Sequence, residues 1–190
     1  MSLPNRLTIA RIFLTFVFMF FAFQIGFIPK IIALVIFLLA SITDFYDGYY
    51  AKKYNLISDF GKLVDPIADK FLVLTAFFAF MGMHLIPAWM FIVILVREVT
   101  VTFIRLQAMR HGKILAAEQA GKIKTVLQIV TISVILIFMV FAQTNLPRHR
   151  SAFLGQFHQW VIDPLMFVVV AVTLFSGASF LWNNRRSIYA

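Results

Sequence analysis

Four aspartates are the residues of this chain best suited to chemistry. Asp44 and Asp47 lie three residues apart, Asp65 and Asp69 lie four apart, and all four fall within 26 residues. On helices, both spacings place the carboxylates of a pair on one face. Crowded carboxylates repel each other, and the repulsion is costly near a membrane unless cations neutralise it. Mg²⁺ and Mn²⁺ prefer carboxylate oxygens, so these aspartates predict a site for two divalent ions that acts on phosphates.

The same aspartates have a simpler interpretation as solvated acids paired with neighbouring lysines. The lysines near enough in sequence are Lys52, Lys53, Lys62 and Lys70. Such pairing accounts for one aspartate, but less well for four at helical spacings with Gly48 and Gly61 between them. Ionisable groups inside a membrane are functional by default, which also favours the metal interpretation.

The aspartates belong to a longer pattern, Asp44-x2-Asp47-Gly48-x2-Ala51-Lys52-x8-Gly61-x3-Asp65-x3-Asp69. This pattern resembles the signature of the CDP-alcohol phosphatidyltransferases, D-x2-D-G-x2-A-R-x8-G-x3-D-x3-D, at seven of its eight fixed positions. The departure is Lys52, where the family has arginine. Lysine keeps the positive charge but lacks the planar fork that grips phosphate through two parallel hydrogen bonds.

The resemblance implies a reaction in which a phosphatidyl group moves from CDP-diacylglycerol to an alcohol and CMP is released. It implies four metal-binding aspartates, among which Asp69 also takes the proton of the attacking hydroxyl as the catalytic base. It further implies that the CDP group is held by signature residues and by the start of the chain. These residues are Asn5, Thr8, Gly48, Ala51, Lys52 and Gly61.

Two further patterns resemble the branch of this family that uses sn-glycerol 3-phosphate as acceptor and forms phosphatidylglycerophosphate. They are Pro-Asn-x2-Thr-x2-Arg from Pro4, and Arg-Glu-x6-Arg from Arg97 with the later Gly-Lys-x-Lys-Thr from Gly121. An interfacial helix start with a snorkelling arginine is the alternative interpretation of the first pattern.

The phosphate of such an acceptor needs fixed cations, and the sequence offers Arg105, Arg110, Lys122 and Lys124. Glu98 lies seven residues before Arg105 on the same helix face, so an ion pair between them is the structural alternative. Arg97 should point about 100° away from Glu98 by helix geometry.

The composition predicts an all-α, polytopic membrane protein with six transmembrane helices in one domain, residues 1–190. Of the 190 residues, 62% are apolar, and apolar runs recur at the length that crosses a bilayer. We expect the spans at about 7–27, 29–50, 66–83, from 87 onward, 116–143 and 161–182, with polar connections at 52–64 and 144–159. The absence of cysteine excludes disulfides, thiolate catalysis and cysteine-bound zinc.

The net charge of +9 points to anionic lipids and phosphate substrates, and no nucleic acid is expected, because the basic residues lie mainly in short loops. Six spans place fourteen of the seventeen Lys and Arg residues on the side of both termini. The positive-inside rule then puts the termini and the aspartates at the cytoplasmic face of the bacterial inner membrane. The expected partners are CDP-diacylglycerol, sn-glycerol 3-phosphate and membrane lipids, and a homodimer is left open.

Three other functions compete with this interpretation. A sister enzyme would use another acceptor, such as inositol phosphate or phosphatidylglycerol. An intramembrane prenyltransferase also uses aspartate-rich Mg²⁺ sites, but its two motifs lie far apart in a longer chain. An ion-coupled transporter would carry acids through the centres of its spans, whereas here they cluster at one membrane face.

Overall fold

The computed structural model describes an all-helical chain. It covers residues 3–54, 59–110, 119–143 and 156–189, with side chains described at 9–43, 70–109, 119–143, 156–157 and 160–185. The long helices are α1 (Leu3–Phe23), α2 (Phe27–Tyr54), α3 (Asp59–Gly82), α4 (Ala88–Arg110), α5 (Gln119–Ala142) and α6 (Asp163–Tyr189). A short π-helical stretch, His158–Ile162, leads into α6. No strand occurs in these ranges, so the all-α prediction is confirmed for the part of the chain they cover.

The six helices close into a ring around a packed interior. Contacts run from α2 to α1, then α3, α4, α6 and α5, and return from α5 to α2. Helices α3 and α5 also touch across the ring. The first half of α5 therefore lies within reach of side chains from α3, α4 and α6.

Polarity is distributed inside out, as expected for a protein surrounded by lipid. Large apolar side chains cover the outer surface, among them Phe13, Phe20, Phe141, Phe175 and Trp182. Several charged or polar side chains are instead buried, including Arg11, Glu98, Lys124, Gln128 and Asn184. Polar groups that cannot be solvated by lipid must find partners within the bundle.

Two of the described helical segments are long and apolar enough to cross a bilayer, Gln119–Ala142 and Trp160–Arg185. Three shorter apolar segments accompany them, Ile9–Phe23, Phe27–Thr43 and Lys70–Gly82. These segments support a membrane protein, and the count of six spans stays a prediction.

The apolar core fills one end of the bundle and takes residues from all six helices. Phe18, Phe37, Phe77, Phe80 and Ile135 are fully buried there, and aromatic pairs such as Phe18 with Phe37, at 5.9 Å between ring centres, pack its layers. The buried charged residues of α4 and α5 lie towards the other end. The core therefore fixes the spacing of the helices, and the polar end is left to form a site.

A sharp turn and a side-chain hydrogen bond connect α1 to α2 at the core end of the bundle. Gly26, with a φ of 126°, permits the sharp turn between α1 and α2, because its left-handed backbone carries no Cβ penalty. The Lys30 ammonium donates to the Ala22 carbonyl, one of the carbonyls that the end of α1 leaves without a helical partner.

The end of α3 is closed by a left-handed residue, His84, with a φ of 58°. The Leu85 N–H bonds the Phe80 carbonyl at 2.9 Å and the His84 N–H bonds the Met81 carbonyl at 3.0 Å. This is the Schellman arrangement, with histidine in the position that glycine usually takes. His84 thus has a defined capping role.

Two predicted boundaries are wrong. The segment 52–64 was expected to be a polar loop, but α2 continues to Tyr54 and α3 already begins at Asp59. Pro66 therefore lies inside α3 rather than at its start. The sequence suggested a loop because the polar residues there break the apolar run, although they remain compatible with helix. Residues 55–58, and most of the predicted connection 144–159, lie outside the described residues.

A matched pair of phenylalanine substitutions tests the assignment of core and lipid face. Phe77→Ala should lower the free energy of unfolding by about 3 kcal/mol or more, because it opens a cavity in a packed interior. Phe13, which is 68% exposed on α1, is the control, and Phe13→Ala should change stability little. Thermal unfolding in detergent measures both. Equal losses in Tm would contradict the assignment.

Candidate functional site

The aspartates predicted to bind metal lie on two consecutive helices. Asp44 and Asp47 belong to α2, and Asp65 and Asp69 belong to α3. Both helices pack against α1. Their side chains lie outside the described residues, so their role as ligands stays a prediction. Among the side chains that are described, no group of three or more histidines and acids could hold a metal ion.

The residues predicted to hold CDP fall in the same regions. Asn5 and Thr8 lie on α1, and the remaining four lie near the end of α2 and the start of α3. These four are Gly48, Ala51, Lys52 and Gly61. All six are placed by backbone only, because their side chains lie outside the described residues.

Next to this region, a buried carboxylate gathers three cations. Glu98 on α4 is 3% exposed, and its Oε1 accepts a hydrogen bond from the ammonium of Lys124 on α5. The Arg97 Nη1 lies 3.2 Å from the same oxygen, and the Lys70 Nζ lies 3.6 Å from Oε2. A buried charge is tolerated only when it is paired in this way.

Hydroxyl groups extend this cluster to a fourth helix. The Arg97 Nη2 donates to the Ser176 Oγ of α6 at 2.7 Å. A Cβ added at Gly177 would come within 3.1 Å of the Arg97 Cγ, so the glycine leaves room for the arginine to pass close to α6. The Lys70 ammonium donates to Thr102 Oγ1, which in turn donates to the Glu98 carbonyl at 2.6 Å. The cluster thereby connects α3, α4, α5 and α6.

Above the carboxylate lies an open pocket of about 550 Å³, which we call the outer pocket. Its walls come from α2, α3, α4, α5 and α6, and Ser176 and Phe180 form the α6 side. Five cationic side chains line it: Lys70, Arg97, Arg105, Lys122 and Lys124. A pocket with this excess of positive charge suits an anion with several oxygens, such as a phosphate.

Three of the four cations predicted for the acceptor phosphate meet at this pocket. Arg105 lies with its guanidinium 5.4 Å from the centre of the Phe180 ring, and its buried Nε has no hydrogen-bond partner in the part of the chain that is described. Lys122 is exposed, whereas Lys124 is buried against Glu98. The fourth, Arg110, ends α4, and its side chain lies outside the described residues.

The alternative of an ion pair between Glu98 and Arg105 is wrong. Within the described ranges, Glu98 pairs with Lys70, Arg97 and Lys124, and Arg105 instead lies against Phe180. Helix spacing suggested the pair, but cations from α3 and α5 are nearer. Helix geometry directs Arg97 about 100° away from Glu98. Its side chain is long enough to bend back, so that the guanidinium reaches the Glu98 carboxylate.

Sequence reasoning missed three residues of the site. The sequence suggests Lys70 only as a partner for the aspartates, helix geometry directs Arg97 away from Glu98, and no pattern marks Ser176, yet all three line the outer pocket. The sequence does carry one signal for Ser176, because Ser176 and Gly177 are two adjacent small residues in an apolar helix, a pattern that favours close approach of another helix. Nothing in the sequence shows which neighbouring helix such a pair faces.

Comparisons with known proteins agree with the chemistry of this pocket. A family model for CDP-alcohol phosphatidyltransferase matches residues 1–175. A Bacillus subtilis protein named CDP-diacylglycerol–glycerol-3-phosphate 3-phosphatidyltransferase is 37% identical, over 98% of this chain and 97% of its own. A Mycobacterium tuberculosis protein named probable phosphatidylglycerophosphate synthase is 37% identical over 98% of this chain and 83% of its own.

A Rickettsia typhi protein with the same name as the Bacillus relative is 36% identical over 72% of this chain and 76% of its own. The family match covers the signature aspartates and nearly all of the helices that line the cationic pocket. The chain therefore belongs to the CDP-alcohol phosphatidyltransferase family, whose members are transferases of phospholipid synthesis.

Proposed function

We propose that this protein is a phosphatidylglycerophosphate synthase. A hydroxyl of sn-glycerol 3-phosphate attacks the phosphorus that carries the diacylglycerol in CDP-diacylglycerol. The new P–O bond forms as the pyrophosphate bond breaks, so the products are phosphatidylglycerophosphate and CMP. The names of the relatives support this acceptor, and the observation that carries the proposal is the outer pocket with its five cationic side chains.

The outer pocket holds the phosphate that the acceptor already carries. Arg105 and Lys122 bind this phosphate directly, because neither forms an ion pair with an acid among the described residues. Lys124, Arg97 and Lys70 are held by Glu98 and supply positive potential from below. Arg110 completes the group from the end of α4. A phosphate monoester binds tightly in such a setting because each contact is a charge-assisted hydrogen bond.

The aspartates supply the reacting end of the site. Their donor chemistry fits Mg²⁺ or Mn²⁺, since all four offer carboxylate oxygens, and the helical spacing sets each pair on one face of α2 or α3. Two such ions, when bound, neutralise the pyrophosphate and stabilise the charge that develops on it. Asp69 takes the proton of the attacking hydroxyl. Lys70, the next residue along α3, lines the outer pocket, which keeps the two ends of the acceptor site adjacent.

The CDP group binds across the starts of α1 and α3 and the end of α2. Asn5 and Thr8 contact it from α1, and the backbone comes close to it at Gly48 and Gly61. Ala51 and Lys52 complete this side. The acyl chains enter sideways between helices, because leaving the bilayer would expose them to water.

The protein lies in the bacterial cytoplasmic membrane with six spans. Both termini and the active site face the cytoplasm, where soluble phosphates are available. The apolar outer surface of the described helices supports membrane placement, and the excess of basic residues on one side supports this orientation. Its mass in detergent will reveal whether it forms a homodimer.

The experiment that tests the proposed function is CMP release from CDP-diacylglycerol by purified protein with a panel of acceptors. We expect release with sn-glycerol 3-phosphate and little with inositol phosphate or phosphatidylglycerol. Release with one of the other two acceptors alone would reassign the protein to a sister activity. No release with any acceptor, together with ion-driven uptake in vesicles, would favour a transporter.

Removal of the metal site should abolish turnover without unfolding the protein. Asp44→Asn, Asp47→Asn and Asp65→Asn each keep the side-chain volume and remove a charged ligand. EDTA should have the same effect, and added Mg²⁺ or Mn²⁺ should reverse it. CMP release and thermal unfolding are measured together, with Asp163→Asn on α6 as the control. Full activity in EDTA would falsify the two-metal proposal.

Two lysines on α5 provide a second test. Lys122→Ala should raise the KM for sn-glycerol 3-phosphate about tenfold through loss of one charge-assisted hydrogen bond, while the KM for CDP-diacylglycerol and the Tm stay constant. Lys124→Ala should raise the same KM and also lower the Tm, because Glu98 loses a buried partner. Breaking a buried ion pair costs about 3–5 kcal/mol of stability when the remaining charge has no other partner. Because Arg97 and Lys70 still pair with Glu98, we expect a smaller loss of stability.

These variants also separate binding from membrane orientation. If the basic residues served only the positive-inside rule, a single substitution among fourteen would leave both KM values unchanged. An unchanged acceptor curve for Lys122→Ala would remove that lysine from the site.

The topology is tested with reporter tags at three positions. A tag at the C-terminal Ala190 and one inserted at Asn55 should report cytoplasm, while one beside Ser151 should report the outside. Accessibility to a membrane-impermeant reagent measures each position in intact cells. A cytoplasmic location for Ser151 would show that the number of spans before it differs from the proposed five.

A further inference from the structure

A second, smaller pocket adjoins the outer pocket and reaches deeper into the bundle. This inner pocket has a volume of about 160 Å³. It shares Ser41, Lys70 and Lys124 with the outer pocket, whereas Arg11, Glu98 and Gln128 line only the inner one. The two pockets are therefore adjacent, with the buried carboxylate on the wall of the inner one.

Three of the buried polar atoms in the lining of this inner pocket lack a hydrogen-bond partner within the described residues. They are the Ser41 Oγ, the Gln128 Nε2 and the Glu98 Oε2, which has only the longer ion pair with the Lys70 Nζ at 3.6 Å. Gln128 is only 2% exposed and Glu98 only 3%, so lipid and bulk water do not satisfy them. Buried polar groups in proteins are almost always paired, and three orphans around one cavity therefore indicate a polar occupant.

The chemistry of the orphans defines that occupant. The Glu98 Oε2 can only accept a hydrogen bond, and the Gln128 Nε2 can only donate one. A hydroxyl group both donates and accepts, so one hydroxyl placed between them would satisfy both atoms. In the inner pocket a phosphate would meet Glu98 beside the cations Arg11, Lys70 and Lys124. The outer pocket has five cations and, among the described residues, no carboxylate in its lining, so it is the better place for the phosphate.

The position of the inner pocket relates it to the reaction. Ser41 lies three residues before Asp44 on α2, and Lys70 directly follows Asp69 on α3. Because Ser41 and Lys70 line both pockets, the inner and the outer pocket both adjoin the proposed metal site. sn-Glycerol 3-phosphate carries a reacting hydroxyl, a phosphate and a secondary hydroxyl, so an acceptor whose reacting hydroxyl lies at the metal site and whose phosphate lies in the outer pocket has one hydroxyl left to place.

We propose that the inner pocket is a hydroxyl-recognition subsite that selects the acceptor. Gln128 donates to the oxygen of the secondary hydroxyl, Glu98 Oε2 accepts its hydrogen, and Ser41 supplies a further partner. This inference rests on the proposed function and adds to it the residues that distinguish a polyol phosphate from a simpler alcohol phosphate. A site built to bond a hydroxyl rejects an analogue that lacks it, because its own polar groups then stay unpaired.

The test compares sn-glycerol 3-phosphate with 3-hydroxypropyl phosphate, which lacks only the secondary hydroxyl. The unmodified protein should favour sn-glycerol 3-phosphate in kcat/KM by about tenfold or more, the size expected for buried hydrogen bonds. Gln128→Leu keeps a similar volume and removes the donor. This substitution should lower kcat/KM for sn-glycerol 3-phosphate and leave kcat/KM for the analogue little changed. The ratio of the two kcat/KM values should therefore fall towards one.

Thr131→Val is the matched control. Thr131 lies one turn further along α5, is fully buried, and also has an orphan hydroxyl among the described residues, but it lines neither pocket. Its substitution should leave the preference between the two acceptors unchanged. If Gln128→Leu does not fold, Ser41→Ala provides the same comparison from α2.

The outcomes separate this inference from the function on which it rests. An unchanged preference in both Gln128→Leu and Ser41→Ala, with sn-glycerol 3-phosphate still the acceptor, overturns the subsite and leaves ordered water as its occupant. An equal loss of preference in Thr131→Val also overturns it, since the effect would then reflect packing. If the unmodified protein uses neither phosphate but releases CMP with another alcohol, the proposed function fails, and the subsite fails with it.

Discussion

One buried carboxylate organises the polar end of this molecule. Glu98 draws Lys70 from α3, its neighbour Arg97 and Lys124 from α5 into one cluster, and Arg97 continues the link to Ser176 on α6. Three cations so close together would repel one another strongly in a medium of low dielectric constant. The carboxylate makes their proximity tolerable, and their remaining positive potential faces the outer pocket. The cluster thereby joins four helices and prepares a place for an anion.

The two ends of the bundle have complementary tasks. Phenylalanines and branched aliphatic residues from all six helices fill one end at close packing, which fixes the helix axes. The other end contains pockets of about 550 and 160 Å³, whose linings include the charged and polar groups. A lipid-facing exterior makes this division necessary, because polar side chains gain nothing from pointing outward. The residues available for catalysis are therefore those that the bundle turns inward.

The proposed site combines two kinds of recognition with opposite electrostatic requirements. Phosphate binding needs several cations whose donors are free, and neither Arg105 nor Lys122 forms an ion pair with an acid among the described residues. The proposed hydroxyl binding needs a donor and an acceptor, and Gln128 and Glu98 in the lining of the inner pocket are of these kinds. Glu98 contributes to both, since Oε1 pairs with Lys124 and Arg97, while Oε2 has only the longer ion pair with Lys70.

The sequence by itself determined the family and the helical class, and it predicts the chemistry of the aspartates. Spacings of three and four residues within a long signature are local properties, so Asp44 through Asp69 could be interpreted without any tertiary contact. It also predicted Arg105, Lys122 and Lys124 as a group of cations for one anion, and the structure brings all three to the outer pocket. The boundaries near Pro66 were misplaced, since a polar helix and a polar loop have similar compositions.

Only the tertiary structure decided how the cations are partnered. Helix periodicity paired Glu98 with Arg105 on its own helix, but partners from α3 and α5 are closer, and their approach depends on how the ring closes. Ser41, Gln128 and Ser176 were invisible in the sequence for the same reason. A single polar residue in an apolar helix shows that it must be satisfied, but not by what. The identity of its neighbour is set by the packing of helices that are far apart in the chain, and this packing follows from the whole core and from no local pattern.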